Sequence, residues 1–184
     1  MKTYTIENFW NPRLRRGYTV YQDELTSLIS GWSFKNEKIE AFTEAPLTLS
    51  SQFGADCDPS HSSILLVSAP GAVGKSALAK QIAFETRSVY IDLAKADPVG
   101  ANTLTGGIVK SGLHNHWKDS SISVLIDGLD EARLRVTQEA FRAFLLDVAE
   151  CSKNRNVPTV LLGRTGAVQD AWLIFIDHVP RLQC

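Results

Sequence analysis

Cysteine, long apolar runs and any excess of one charge are scarce in this sequence. Its three cysteines, Cys57, Cys151 and Cys184, are odd in number, widely spread and form no C-x-x-C pair. That usage excludes a secreted disulfide scaffold and a structural zinc site. No apolar run approaches the roughly 18 residues that span a bilayer, and Met1-Lys2-Thr3-Tyr4 opens no signal-peptide pattern. With 19 Lys+Arg against 20 Asp+Glu, a net charge of -1 gives no general attraction to nucleic acid or membrane. A soluble cytoplasmic protein without a membrane partner is expected. The hydrophobic fraction of 44% is ordinary, which excludes disorder over most of the chain. A length of 184 residues suits one domain with a short extension.

What is present divides at about residue 61. Residues 1–61 read as an N-terminal extension and linker. Trp10-Asn11-Pro12, Gly31-Trp32 and Ala45-Pro46 interrupt any periodicity, and Leu25, Leu28 and Ile29 suit a short helix over 22–30 that Gly31 would stop. Arg13, Arg15 and Arg16 read more simply as a solvated turn than as a phosphate patch. A loop is expected over 48–63. From 62 onward, short apolar segments alternate with helical spacing. Strands are predicted over 64–67, 88–92, 123–126, 159–162 and 172–176. Helices are predicted over 76–87, 107–117 and 131–149, the last with Leu134, Phe141, Phe144, Leu145 and Val148 facing inward. This alternation predicts an α/β fold with a mostly parallel five-stranded sheet and helices on both faces.

The first predicted strand runs into Ala69-Pro70-Gly71-Ala72-Val73-Gly74-Lys75-Ser76. This is the P-loop pattern, with Ala in the place often held by the first Gly. A loop that wraps a pyrophosphate turns successive N–H groups inward, and Gly71 and Gly74 permit the dihedrals and close approach this needs. The following helix adds the positive end of its dipole. Lys75 is expected to reach the β- and γ-phosphates and Ser76 to place its hydroxyl on Mg²⁺. The bland alternative, a chance Gly-Lys-Ser turn, is weakened by the strand before and the helix after. No Asn-Lys-x-Asp run reads guanine, which favours ATP over GTP.

A phosphate cradle also needs a carboxylate for the metal's water shell. Val124-Leu125-Ile126-Asp127 ends an apolar strand in one, at the sheet edge where ligands of open α/β folds collect. Asp127 is the metal candidate. In the continuation Gly128-Leu129-Asp130-Glu131, Asp130 is the first candidate to orient or deprotonate an attacking water and Glu131 the second. Both also suit the acidic first turn of a helix, and the two roles can coexist. Arg164, after Leu161-Leu162-Gly163, is either a γ-phosphate sensor or an ordinary surface arginine.

Together, 69–76, the run 124–131 with its Asp-Gly-Leu-Asp-Glu core, and 161–165 resemble the NACHT branch of the STAND NTPases. In that pattern a small residue follows the metal Asp, and the acidic pair comes two and three places later, as Gly128, Asp130 and Glu131 stand here. The resemblance spans about residues 62–177. It implies a P-loop three-layer sandwich of strand order 5-1-4-3-2 over 62–184, cut short before the lid and winged-helix regions. It implies ATP and Mg²⁺ bound through Lys75, Ser76 and Asp127, with Asp130 catalytic and Arg164 a sensor. STAND proteins are signalling switches in which ADP holds a closed form and ATP permits self-association and activation of an effector; bacterial members are commonly tied to antiphage defence. Such a chain would be a fragment or a minimal version.

Competing readings are a nucleotide-gated oligomerisation module with little hydrolysis, another AAA+-like ATPase, or a P-loop small-molecule kinase. Leu104-Thr105-Gly106-Gly107 resembles the signature of ABC ATPases but stands too near the P-loop for that family's helical insertion. His114 and His116 lack a third ligand at a suggestive spacing and read as surface residues. Trp117 and Trp172 read as packing residues.

Overall fold

The computed structural model describes residues 2–15, 29–34, 36–49 and 59–178. Most of the helix expected over 22–30, together with Arg16, Cys57 and Cys184, lies outside the described residues. The described elements are β1 (Thr3–Tyr4), a π-helical turn (Ile6–Trp10), α1 (Asn11–Leu14), β2 (Trp32–Ser33), β3 (Leu47–Thr48) and β4 (Ile64–Ser68). After them come α2 (Lys75–Thr86), β5 (Val89–Asp92), α3 (Thr103–Lys110), α4 (His114–Lys118), β6 (Val124–Asp127), α5 (Leu129–Arg135), α6 (Gln138–Ser152), β7 (Thr159–Gly163) and α7 (Thr165–His178).

The main sheet has five strands in the order β2-β5-β6-β7-β4. Four are parallel, with β7 between β6 and β4, and β2 lies antiparallel against β5. β1 and β3 form a separate antiparallel pair. Each parallel strand is apolar on both faces, because successive side chains point to opposite sides. Ile64, Val89, Ile91, Val124, Ile126 and Leu161 enter one core, which α3 to α7 cover. Leu65, Val67, Tyr90, Leu125, Val160 and Leu162 enter the other, against α2 and the N-terminal turns. The protein is therefore an α/β fold with a mostly parallel mixed sheet and helices on both faces.

Three expectations are corrected. Residues 172–176 are not a strand; they lie within α7, so the expected order with that strand beside the first does not hold. Ala167, Val168, Ala171 and Phe175 recur three or four apart and are buried on one side of α7, and this longer helical period outweighs the local apolar run. The fifth strand is instead β2, at the opposite edge. The helix expected over 131–149 is two helices that break at Val136, and Thr137 caps the second by accepting from the Ala140 N–H at 3.1 Å. Leu134, expected to face the core, is 84% exposed as a result of that break. The helix expected over 107–117 is likewise split into α3 and α4 by Gly112, which adopts φ +71°.

The described part of 1–61 packs into the same core as the rest. Ile6, Phe9, Trp10 and Leu14 are buried beside β4, β6 and β7, and the Ser123 hydroxyl donates to the Leu14 carbonyl at 2.9 Å. Arg13 donates to the Ser62 carbonyl at 3.2 Å. The glycine pair that resembles an ABC signature has a packing reason. A Cβ on Gly107 would stand 2.1 Å from the Trp32 ring, so only glycine lets β2 close on α3. Among the described residues, no helix is long and apolar enough to cross a membrane.

Candidate functional site

Because β4, β5, β6 and β7 are parallel, the turns that follow them emerge at one edge of the sheet. That edge gathers the P-loop after β4, Gly128 to Glu131 after β6 and Arg164 after β7. This edge brings Lys75, Asp130 and Arg164 into contact, although Lys75 and Arg164 stand 89 positions apart in the sequence.

The P-loop stands open to solvent at Pro70 to Gly74 and at Ser76, with Ala69 half-buried. The Ala69 N–H donates to the Gly163 carbonyl at 3.3 Å, which ties the base of the loop to β7. Left-handed backbone occurs at Ala72 (φ +62°) and Gly74 (φ +83°). Ala72 thus carries a conformation that costs a non-glycine residue about 1 kcal/mol. Gly71 does not take the left-handed dihedral expected of it; a Cβ there would stand 3.1 Å from the guanidinium carbon of Arg164, a flexible side chain that can shift aside. Gly74 starts α2 without a side-chain cap, which leaves the first-turn N–H groups to other acceptors.

Asp130 joins the three loops. Lys75 Nζ lies 3.6 Å from its Oδ1, and Arg164 Nε lies 3.3 Å from its Oδ2. The Arg164 N–H also donates to Oδ1 at 3.1 Å. Partial burial works to raise the Asp130 pKa, but the Arg164 N–H, a backbone bond within its own turn and the Lys75 charge outweigh it and hold the carboxyl below the ordinary range. Glu131 is exposed, with Oε2 against Gly128. Gly128 begins α5 at φ +85°, and a Cβ there would meet the Ala94 nitrogen at 3.3 Å. The small residue of the Asp-Gly-Leu-Asp-Glu run is thus required by the turn itself.

Asp127 is only 2% exposed. Its Oδ2 accepts from the Tyr90 hydroxyl at 2.7 Å and its Oδ1 from the Gly128 N–H at 2.9 Å. Burial first, then this bond to Asp127, pushes the Tyr90 hydroxyl far above its usual range, so it remains a proton donor. Each Asp127 oxygen retains a second lone pair. The donor set therefore suits a magnesium ion reached through water, with Ser76 as the exposed hydroxyl partner, rather than a cage of protein ligands. Among the described residues, no group of three His, Cys, Asp or Glu side chains could hold a metal.

Three features of the site were not foreseen from the sequence. Tyr90 reaches Asp127 from the neighbouring strand. Arg135 holds the turn after β5 by donating to the Leu93 and Ala96 carbonyls at 2.8 and 3.0 Å. A cavity of about 370 Å³ opens beside the loop, lined by Ile39, Phe42, Leu47, Val73, Lys75 and Leu78. The alternation of strand faces could have placed Tyr90 on the α2 side; nothing in the order of residues could have brought 39–47 to the P-loop. A smaller apolar cavity, about 140 Å³, lies along β4 among Tyr4, Trp10, Leu66 and Trp172, and none of the candidate residues lines it. No protein-family model matches the chain and no curated protein matches it, so the chemistry of this sheet edge carries the functional argument.

Proposed function

We propose that the chain is the ATP-binding and ATP-hydrolysing core of a P-loop NTPase, of the STAND class with a NACHT-like acidic motif, acting as a nucleotide-dependent signalling switch. The observation that carries this reading is the convergence of Lys75, Asp130 and Arg164 at the carboxyl edge of a parallel sheet, over a glycine-containing turn that starts a helix. In this reading the loop amides, the α2 N-terminus and Lys75 bind the phosphates. Ser76, and Asp127 through water, would hold a magnesium ion, which supplies charge neutralisation at the phosphates. Arg164 faces the outermost phosphate. Asp130, or Glu131 beside it, orients the attacking water. The largely apolar cavity beside the loop, lined in part by Ile39, Phe42 and Leu47, receives the nucleobase, whose polarity it suits. Self-association and an attached effector belong to the same proposal, as does the link to defence that the resemblance brings.

Titration calorimetry tests the site. Lys75→Ala is expected to abolish ATP binding, and equal affinity in wild type and variant would remove the P-loop assignment. Asp130→Asn is expected to retain binding while phosphate release slows by about 100-fold or more, the usual range for a lost acid–base group. Unchanged turnover would move that role to Glu131 or deny hydrolysis.

A second reading, ATP-gated assembly with little hydrolysis, has its own support. A carboxyl held below its ordinary range by the Arg164 N–H, a bond in its own turn and the Lys75 charge is a poor proton acceptor. Wild-type turnover no faster than that of Asp130→Asn, alongside ATP-dependent assembly in light scattering, would favour it.

A further inference from the structure

One carboxylate occupies both cations of the site. Asp130 bridges Lys75 at 3.6 Å and Arg164 at 3.3 Å, and it also accepts from the Arg164 N–H. The Arg164 guanidinium in turn rests over Gly71 in the P-loop. Ammonium and guanidinium groups bind carboxylate and phosphate oxygens by the same charge-assisted bonds. Asp130 therefore engages the same two cations that the outermost phosphate of a nucleotide would call on.

We propose that Asp130 is a specificity-determining residue, an internal anion that competes with the third phosphate for Arg164 and Lys75 and biases the site toward nucleoside diphosphate. The inference rests on the nucleotide reading of the P-loop. A diphosphate uses the loop amides, the α2 N-terminus and part of the Lys75 ammonium, which has three N–H donors, and it leaves the Asp130–Arg164 pair in place. A triphosphate takes Arg164 from Asp130 and sets a phosphate beside a carboxylate of like charge. The backbone that carries the carboxylate is held in place, because α5 is tied on both sides. Arg133 pairs with Asp170 of α7 at 2.9 Å, and Arg135 bonds the turn after β5. Selectivity thus arises from a repulsive element held against the larger ligand.

The test is calorimetric titration of the full chain with ADP and with ATP in EDTA, for wild type and Asp130→Asn, which keeps the shape and removes the charge. ATP is expected to bind the variant up to about fivefold more tightly and ADP less than about twofold more tightly, the upper worth of one partly exposed ion pair. Asp130→Ala is expected to show the same change in ATP-to-ADP preference, which covers the case in which the Asn variant folds poorly. ATP affinity that is unchanged or weakened would overturn the inference and leave the P-loop reading intact. An equal gain for both nucleotides would also overturn it, since a general charge effect then suffices. Binding of neither nucleotide to wild type or variant, in EDTA and again with Mg²⁺ supplied, would overturn both.

Discussion

A carboxylate as deeply buried as Asp127 needs donors, and the two it has come from different levels of the structure. The Gly128 N–H is its chain neighbour; the Tyr90 hydroxyl arrives from β5, where the register sets Tyr90 against Leu125. Tyr90→Phe removes one donor and leaves the carboxylate short of a partner, at a cost of about 1.5–3 kcal/mol for a hydrogen bond to a charged group. The melting temperature is expected to fall by several degrees, about 2–4 °C per kcal/mol for a domain of this size. A melt indistinguishable from wild type would show that water replaces the hydroxyl. Tyr90 was not legible beforehand because a strand tyrosine looks the same whether its hydroxyl meets solvent or a buried acid.

At the scale of elements, the sequence was most readable where strands are short and apolar on both faces. β4, β5, β6 and β7 all appear within a residue or two of the expected bounds. It was least readable where an apolar run suited two periods. Residues 172–176 satisfy a strand locally, yet Phe175 is fully buried with Ala171 and Val168 along α7, four and seven positions back. The division of 129–152 into α5 and α6 turns on Thr137, whose extended backbone and side-chain bond to Ala140 start the second helix. Thr137→Ala is expected to destabilise the protein by about 1 kcal/mol in a urea titration, the usual worth of an N-cap. No change in the midpoint would mean that packing of Phe141 and Phe144 alone holds the helix start.

For the whole molecule, Asp130 links β4, β6 and β7 through the loops that follow them, and this link depends on pH. Its carboxyl titrates lower in the folded protein than the ordinary value of about 3.9 that holds in the unfolded chain. The unfolded state therefore takes up the proton first as acid is added. The stabilisation is complete above about pH 5 and is lost as the pH falls through the unfolded value toward the folded one. Urea midpoints of wild type and Asp130→Asn are expected to differ near neutrality and converge below about pH 4. A constant difference across that range would show that the ion pairs do not act on stability.

The order of residues by itself determined the α/β class, the four parallel strands and which loop residues, at 69–76, 127–131 and 164, lie at their carboxyl edge. Each of these is written in contiguous stretches, where periodicity, glycine placement and charge act over a few residues. Tertiary structure alone decided that β2 completes the sheet, that 39–47 walls the cavity by the P-loop, that Tyr90 satisfies Asp127 and that Asp130 sits between Lys75 and Arg164. Those contacts join positions tens of residues apart, and their energies depend on burial and distance, which exist only once the chain has closed on itself.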